Sequence, residues 1–309
     1  MSERKIGKAV WWNGKFVAPE EAKTSVFTHT LHYGLGAFEG IRCYKTADGR
    51  LAVFRLREHV ERFFDSCKII ELKLPFTQTE LFNACIETVR RSGLTEGCYL
   101  RPLVYIGDGP LGVFPGFNPP VEVAIMTWFW GAYLGQEAKE KGARVKISSF
   151  SRGHVNSAMS KGKISGQYIT GILAKLEVKR AGYDEALLLD TDGYVAEGSG
   201  ENIFIVKGKT IKTTSLTSIL NGITRATIIE FAREEGYEVI EERFTRDELY
   251  CASEAFFTGT AAEITPIREV DNRALGDGCP GPVTQKLWAR YSDAIFGRDL
   301  RRKEWLTYV

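Results

Sequence analysis

The chain has 309 residues, 44% of them hydrophobic and 26% charged, with a formal net charge of +2. This length implies two domains or one large one, and the composition is that of an ordinary globular protein. The balanced charge argues against a nucleic-acid-binding face: the densest basic patch, Arg298, Arg301, Arg302 and Lys303, is interrupted by acids and reads as a solvated helix end or tail.

The opening "MSERKIGKAV" lacks the apolar run of a signal peptide, and no stretch is long and apolar enough to span a bilayer. "AVWWNGKFV" reads as a hairpin around Asn13-Gly14. "LAVFRLR" (51–57) alternates as a strand and runs into a helix with Val60, Phe63, Phe64 and Cys67 on its apolar stripe and Arg62 off it. "TQTELFNACIETVRRSG" predicts a second helix, with Thr79 as its cap and Gly93 as its stop. Strands "YLRPLVYIG" (99–107) and "VEVAIMTWFW" (121–130) flank a Gly/Pro-rich loop. The polar, Gly-bounded stretch after them is the expected linker, at 132–142, between a domain over 1–131 and a larger one over 143–309.

Beyond the linker come a strand, "RVKISSFSR", and the segment "SKGKISGQY". A helix then follows, with Ser165 as cap and Ile169, Ile172, Leu173 and Leu176 as the expected buried stripe. Several short strands lead through Asp192-Gly193 and Lys207-Gly208 to a helix starting at Gly222-Ile223-Thr224. "AFFTGTAAEITPI" reads as strand, turn, strand. A last helix carries Val283, Leu287, Tyr291 and Ala294 on one face. Irregular alternation of strands and helices with many hairpin signals indicates an α+β fold.

Two literal motifs fail on context. "GDGPLG" (107–112) follows a strand, but Pro110 and the prolines after it prevent the helix that a dinucleotide site needs. Ser160-x-x-Lys163 has the spacing of penicillin-binding enzymes without their S-D-N and K-T-G partners. The six cysteines form no C-x-x-C pair and read as thiols of a reducing cytoplasm, and the four histidines have no metal-ligand spacing.

A dispersed constellation carries more. Lys163, Glu197 in "EGSGEN", the Gly-Thr turns "NGITR" and "GTAAE", and Arg62 suit an anionic, lysine-linked cofactor. A Gly-x-Thr turn opening a helix offers N–H groups and a dipole to a phosphate. A deprotonated lysine forms a Schiff base with an aldehyde, and a carboxylate against a pyridine nitrogen keeps that nitrogen protonated. Together these describe pyridoxal 5′-phosphate (PLP).

The sequence resembles the branched-chain amino acid aminotransferases, PLP enzymes of fold type IV. The stretches that carry the likeness run nearly end to end: "HYGLGAFEGIRCY", "FRLREHVERF", "YLRPLVYIGDGPLGV", "WGAYLG", "KISGQY", "EGSGENIF", "ILNGITRATII" and "GTAAEITPI". The resemblance implies a small α/β N-terminal domain, and a larger PLP-binding domain with a β pseudo-barrel flanked by helices. It makes Lys163, not Lys161, the Schiff-base lysine. It assigns Tyr168 to the cofactor's ring oxygen and Glu197 to the pyridine nitrogen. Arg62, Ile223, Thr224 and Thr260 fall to the phosphate. Thr260, Ala261 and Tyr99 fall to the substrate carboxylate. Phe38, Trp130 and Tyr133 wall an apolar pocket, and Arg101 matches a residue that helps accept the glutamate side chain. Tyr33 and the loop Leu111-Gly112-Val113 enter from the neighbouring subunit of a homodimer, or of a larger assembly of dimers.

The implied reaction exchanges the amino groups of L-leucine, L-isoleucine and L-valine with 2-oxoglutarate, with no metal, nucleic acid or membrane involved. The competing expectations are a D-amino acid or (R)-amine aminotransferase or an aminodeoxychorismate lyase on the same fold, and a PLP-free binding protein. "MSKGKI", "TWFWG" and the proline-free "TTSLTS" depart mildly from the family pattern.

Overall fold

The computed structural model describes residues 5–131 and 133–309; the first four residues of the opening stretch and Ala132 of the expected linker lie outside the described residues. In chain order the first elements are β1 (Val10–Trp12), β2 (Lys15–Val17), α1 (His29–Tyr33), β3 (Gly36–Phe38), β4 (Ile41–Lys45), β5 (Leu51–Phe54), α2 (Leu56–Ile69), α3 (Gln78–Ser92), β6 (Cys98–Ile106) and β7 (Val121–Trp128). Next come α4 (Gln136–Lys141), β8 (Ala143–Ser151), α5 (Val155–Ala158), α6 (Tyr168–Arg180), β9 (Glu185–Leu189), β10 (Val195–Gly198), β11 (Asn202–Lys207) and β12 (Thr210–Thr213). The chain ends with α7 (Ile223–Glu234), β13 (Glu238–Glu241), α8 (Arg246–Tyr250), β14 (Glu254–Gly259), β15 (Glu263–Val270), β16 (Arg273–Ala274), α9 (Pro282–Ile295) and β17 (Leu306–Tyr308).

Two compact units result. The first comprises Met1–Trp130, Gly162–Gln167 and Ala294–Val309; the second comprises Gly131–Lys161 and Tyr168–Asp293. The short segment bearing Lys163 thus belongs with the first unit although the chain on either side belongs with the second.

The first unit is built on an antiparallel sheet in the order β17-β5-β4-β6-β7-β1-β2, with β3 also on β6. The Asn13-Gly14 hairpin closes as its sequence requires: both residues have positive φ (48° and 86°), the twist that a two-residue turn needs. Helices α2 and α3 cover the sheet through Val60, Phe63, Cys67, Leu81, Cys85 and Val89. The strand over 51–57 stops early, because Arg55 turns left-handed (φ 51°) and α2 begins at Leu56. The cap of α3 is Thr77, not Thr79. Its hydroxyl accepts the Glu80 N–H, and the Glu80 carboxylate accepts the Thr77 N–H in return. Gly93 ends the helix left-handed, as expected.

The second unit holds a mixed sheet in the order β10-β9-β8-β15-β14-β11-β12-β13, with β16 on β15. β8 runs parallel to both β9 and β15, and β12 parallel to β13; the other pairs are antiparallel. Its core gathers Val145, Ile147, Leu187, Ile203, Phe257 and Ile267, and the stretch expected as a linker contributes the buried Ala138 of α4. Helix α6 differs from its expectation in two ways. A 3-10 turn over Ser165–Gln167 precedes it, so Ser165 does not cap it. Its buried face is Gly171, Ala174 and Val178, whereas Ile169, Ile172, Leu173 and Leu176 are exposed. The small residues are inside because α6 lies close on the turn between β10 and β11: a side chain at Gly171 would meet the Ser199 carbonyl at 2.6 Å.

Candidate active site

In the first unit the site grows from α2. His59 and Arg62 are three residues apart and so share a helix face. Both reach Glu39, which follows β3 and is fully buried. Arg62 Nε and Nη2 donate to the two Glu39 oxygens at 2.7 and 2.9 Å, and His59 Nδ1 lies 2.7 Å from Oε2. Burial alone would raise the Glu39 pKa, but the Arg62 guanidinium, with His59, outweighs it and holds the carboxyl well below its ordinary value. Desolvation lowers the pKa of His59, so at neutral pH it is the neutral donor to Glu39. The planar fork of Arg62 is therefore fixed in orientation.

Ser66, one turn beyond Arg62, ties α2 to the lysine segment: the Lys163 N–H donates to Ser66 Oγ at 2.9 Å. On its other side the Lys163 carbonyl accepts the Phe38 N–H at 3.0 Å, and Ile164 bridges to Ala37. The backbone of Lys163 is thus pinned from α2 and from β3, with Nζ 5.1 Å from the centroid of the Phe38 ring. The same ring lies 4.3 Å from the Arg101 guanidinium carbon. Tyr99 packs against Trp130 with centroids 4.7 Å apart, and the Arg42 guanidinium donates to the Trp130 carbonyl at 3.2 Å. Gly40 is obligatory here, since an added Cβ would fall 1.8 Å from the Tyr99 hydroxyl oxygen. Arg101 Nε is buried without a hydrogen-bond partner. Tyr33, Leu111 and Val113 are exposed on this unit, and the loop they flank is held by His29 Nε2, 2.8 Å from the Gly112 carbonyl. No helix follows "GDGPLG", consistent with its reading as a shaped loop.

In the second unit Glu197 of β10 is buried and held on both oxygens. Arg152, just past β8, places Nη2 2.8 Å from Oε1; Asn202 Nδ2 and the Leu220 N–H each donate to Oε2 at 3.3 Å. That donor set stabilises a carboxylate. Helix α7 opens at Ile223 with no acid in its first turn and no side-chain cap, leaving its N-terminal N–H groups and dipole suited to an anion. A side chain at Gly222 would displace Asn202, since a Cβ there would lie 2.0 Å from Asn202 Oδ1. Thr224 is buried at this helix start, and Thr260 and Ala261 sit half-buried in the turn between β14 and β15. Tyr168 is the first residue of α6, and Lys175 Nζ lies 5.6 Å from the Tyr133 ring centroid. Lys161 is exposed and donates to the Ile219 carbonyl at 3.3 Å.

The first unit therefore gathers Arg62, Lys163, Phe38, Tyr99, Arg101 and Trp130, and the second carries Tyr133, Tyr168, Glu197, Ile223, Thr224, Thr260 and Ala261. Sequence reasoning assigns Glu39 and Arg152 no role, His59 only a structural one, and Asn202 only a place in the Glu197-to-"LNGITR" pattern. Glu39 and Asn202 lie inside stretches quoted for other residues, and nothing local marks Arg152 as the partner of a carboxylate 45 positions away.

Residues 36–270 match the family described as amino-transferase class IV. The branched-chain-amino-acid aminotransferase of Pseudomonas aeruginosa is 49% identical over 300 residues, covering 97% of each chain. Among solved structures, a T.th. branched-chain amino acid aminotransferase with pyridoxamine 5′-phosphate superposes with a TM-score of 0.94 at 50% identity, covering 98% of both chains. The same enzyme complexed with N-(5′-phosphopyridoxyl)-L-glutamate gives 0.92 at 47% identity, again over 98% of both. The chain belongs to the class IV aminotransferases, and within them to the branched-chain-amino-acid aminotransferases.

Proposed function

We propose that this protein transfers the amino group of L-leucine, L-isoleucine and L-valine to 2-oxoglutarate, with PLP as its cofactor. The observation that carries the reading is the aromatic wall of Phe38, Tyr99 and Trp130 with Arg101 set against it, its buried Nε lacking a partner. An aliphatic side chain suits the aromatic faces, and the glutamate side-chain carboxylate suits the guanidinium, so one site serves both halves of the exchange. An aliphatic pocket separates substrates differing by one methylene by only about 1–3 kcal/mol, so all three amino acids react.

The residues fit the cofactor. In the second unit the uncapped, acid-free start of α7 at Ile223 and Thr224 suits a phosphate, as does the Thr260 turn; in the first unit the oriented Arg62 is assigned to the same group by the family likeness. Tyr168 would meet the ring oxygen, and Glu197, ion-paired with Arg152, would face the pyridine nitrogen and favour its protonated form. When bound, PLP supplies an aldehyde that captures amines and a cationic ring that accepts the electron pair left on the substrate's Cα. Lys163 Nζ is the base that takes the Cα proton, its reach fixed by the two backbone bonds that pin it. The family likeness assigns Thr260, Ala261 and Tyr99 to the substrate carboxylate and Tyr133 to the apolar side-chain pocket.

A homodimer, alone or as part of a larger assembly, is part of the proposal, with Tyr33, Leu111 and Val113 lent to the partner's site. It is supported by exposed apolar side chains on the first unit: Phe27 at 58%, Leu31 at 65%, Val113 at 89% and Phe117 at 92%. The exposed apolar face of α6 on the second unit calls for cover as well. Among the described residues no helix is long and apolar enough to cross a membrane. We assign a cytoplasmic setting from the cysteine usage.

The test is the visible spectrum of the purified protein, before and after L-leucine and, separately, D-alanine. A yellow band lost with L-leucine alone supports the reading. A response to D-alanine alone would move the protein to the D-amino acid branch of the fold, and no band after incubation with PLP would sink the cofactor assignment. Lys163→Ala should abolish turnover of L-leucine with 2-oxoglutarate; measurable steady-state activity in that variant would refute the role given to Lys163.

A further inference from the structure

Glu201 opens onto β11 in the second unit, and nothing in the chemistry above uses it. It is 3% exposed. Its Oε2 accepts the Gly200 N–H at 3.0 Å, and its Oε1 is buried with no hydrogen-bond partner. The side chain is wedged between two glycine turns. A Cβ at Gly198, just after Glu197, would fall 2.6 Å from Oε2; one at Gly259, just before Thr260, would fall 3.6 Å from Cγ. Thr258, opposite Asn202 across the β11–β14 ladder, also has a buried hydroxyl with no partner.

The ionisable groups that act on it most strongly are Glu185 on β9, Lys175 on α6 and Glu197 on β10. Lys175 is paired with Glu185, and Arg152 with Glu197. Both of those carboxylates thus have a cation, whereas among the described residues Glu201 forms no ion pair and its Oε1 has no hydrogen-bond partner. We propose that Glu201 is a positioning residue, a neutral carboxylic acid that packs the turn after Glu197 against the turn presenting Thr260 and Ala261 and whose ionisation loosens both. The link to transamination rests on the function proposed above. Burial, reinforced by the Glu185 charge, pushes this carboxyl up to about 8, so the neutral form prevails at physiological pH. Above that, an uncompensated charge would sit four residues from Glu197 and under the substrate turn, and the turns must open to hydrate it.

The experiment compares the wild-type holoenzyme with Glu201→Gln, which keeps the shape and cannot ionise. Because the folded-state pKa lies above the ordinary 4.5, the wild type loses stability relative to the variant as pH rises from about 5 to about 8. The thermal midpoint of the variant minus that of the wild type should therefore rise over that window and stay constant above it. In the wild type alone, the infrared carbonyl band of a protonated carboxyl should vanish with a midpoint near pH 8, which keeps the idea testable if the variant does not fold. In turnover, kcat/KM for L-leucine should fall about tenfold per pH unit above that midpoint in the wild type, with this limb absent from Glu201→Gln. A gap independent of pH, or no titrating band, overturns the protonated assignment. An identical alkaline limb in both proteins overturns the positioning role. A titrating band in a protein that does not consume L-leucine leaves the carboxyl assignment standing and refutes the aminotransferase reading instead.

Discussion

At the scale of single residues, the first unit turns on Glu39. It is fully buried, and it orients Arg62 through two hydrogen bonds while accepting a third from His59. Replacing it by glutamine removes the carboxylate that pairs with the partly buried Arg62 charge, which costs about 3 kcal/mol at pH 7. The pH dependence has a definite sign. The folded-state pKa of Glu39 is depressed, so its contribution is present above the ordinary value of 4.5 and is lost as pH falls through that value toward its own. Urea denaturation at pH 7 and again near pH 3.5 should show the gap between wild type and Glu39→Gln narrowing at the lower pH; an equal gap at both would disprove the charge pairing. "AFEGIRCY" was legible as part of a family pattern, but burial and pairing are tertiary facts, and a lone glutamate after a short strand carries no local sign of either.

At the scale of elements, local chemistry was legible where hydrogen bonds close within a few residues. Asn13-Gly14 and Gly93 were read correctly because positive φ is a local demand. The start of α3 was misplaced by two residues: Thr77 and Thr79 are both hydroxyl residues, and only the reciprocal bond with Glu80 singles out Thr77. Thr77→Ala should therefore destabilise the protein by about 1 kcal/mol, with Thr77→Ser recovering most of it. Thr79→Ala should be close to neutral in the same chemical denaturation series; the opposite ranking would restore the cap read from the sequence. Helix α6 failed for a different reason. It is apolar on two sides, so periodicity alone could not tell the face that meets its own sheet from the face left outside. The close approach at Gly171 decides the matter in favour of small residues. Leucine and isoleucine then remain outward, a pattern that costs solubility unless a partner covers it.

At the scale of the whole molecule, the sequence likeness reached the family and its cofactor because long stretches match in order. It could not show how the chain partitions: residues 162–167 cluster with the first unit, and so do the last sixteen residues, 294–309. The assignment of Tyr33, Leu111 and Val113 to a neighbouring subunit is a claim about connectivity between copies, and subunit mixing tests it directly. Lys163→Ala removes the base from every site in its own homodimer. Tyr33→Ala combined with Leu111→Ala removes the lent wall from every site in its own. In a heterodimer of the two, lending across the interface gathers both lesions into one site and leaves the other intact. Random mixing makes half the dimers heterodimers, so two impaired proteins should together recover about a quarter of wild-type activity. If Tyr33 and Leu111 instead serve their own subunit, every site in the mixture carries one lesion, and co-expression should yield no more activity than the sum of the separate proteins. The two arrangements leave the fold, the cofactor and the pinned Lys163 backbone unchanged. Only the recovery on mixing separates them, because it depends on which chain supplies Tyr33 and Leu111 and not on what those residues are.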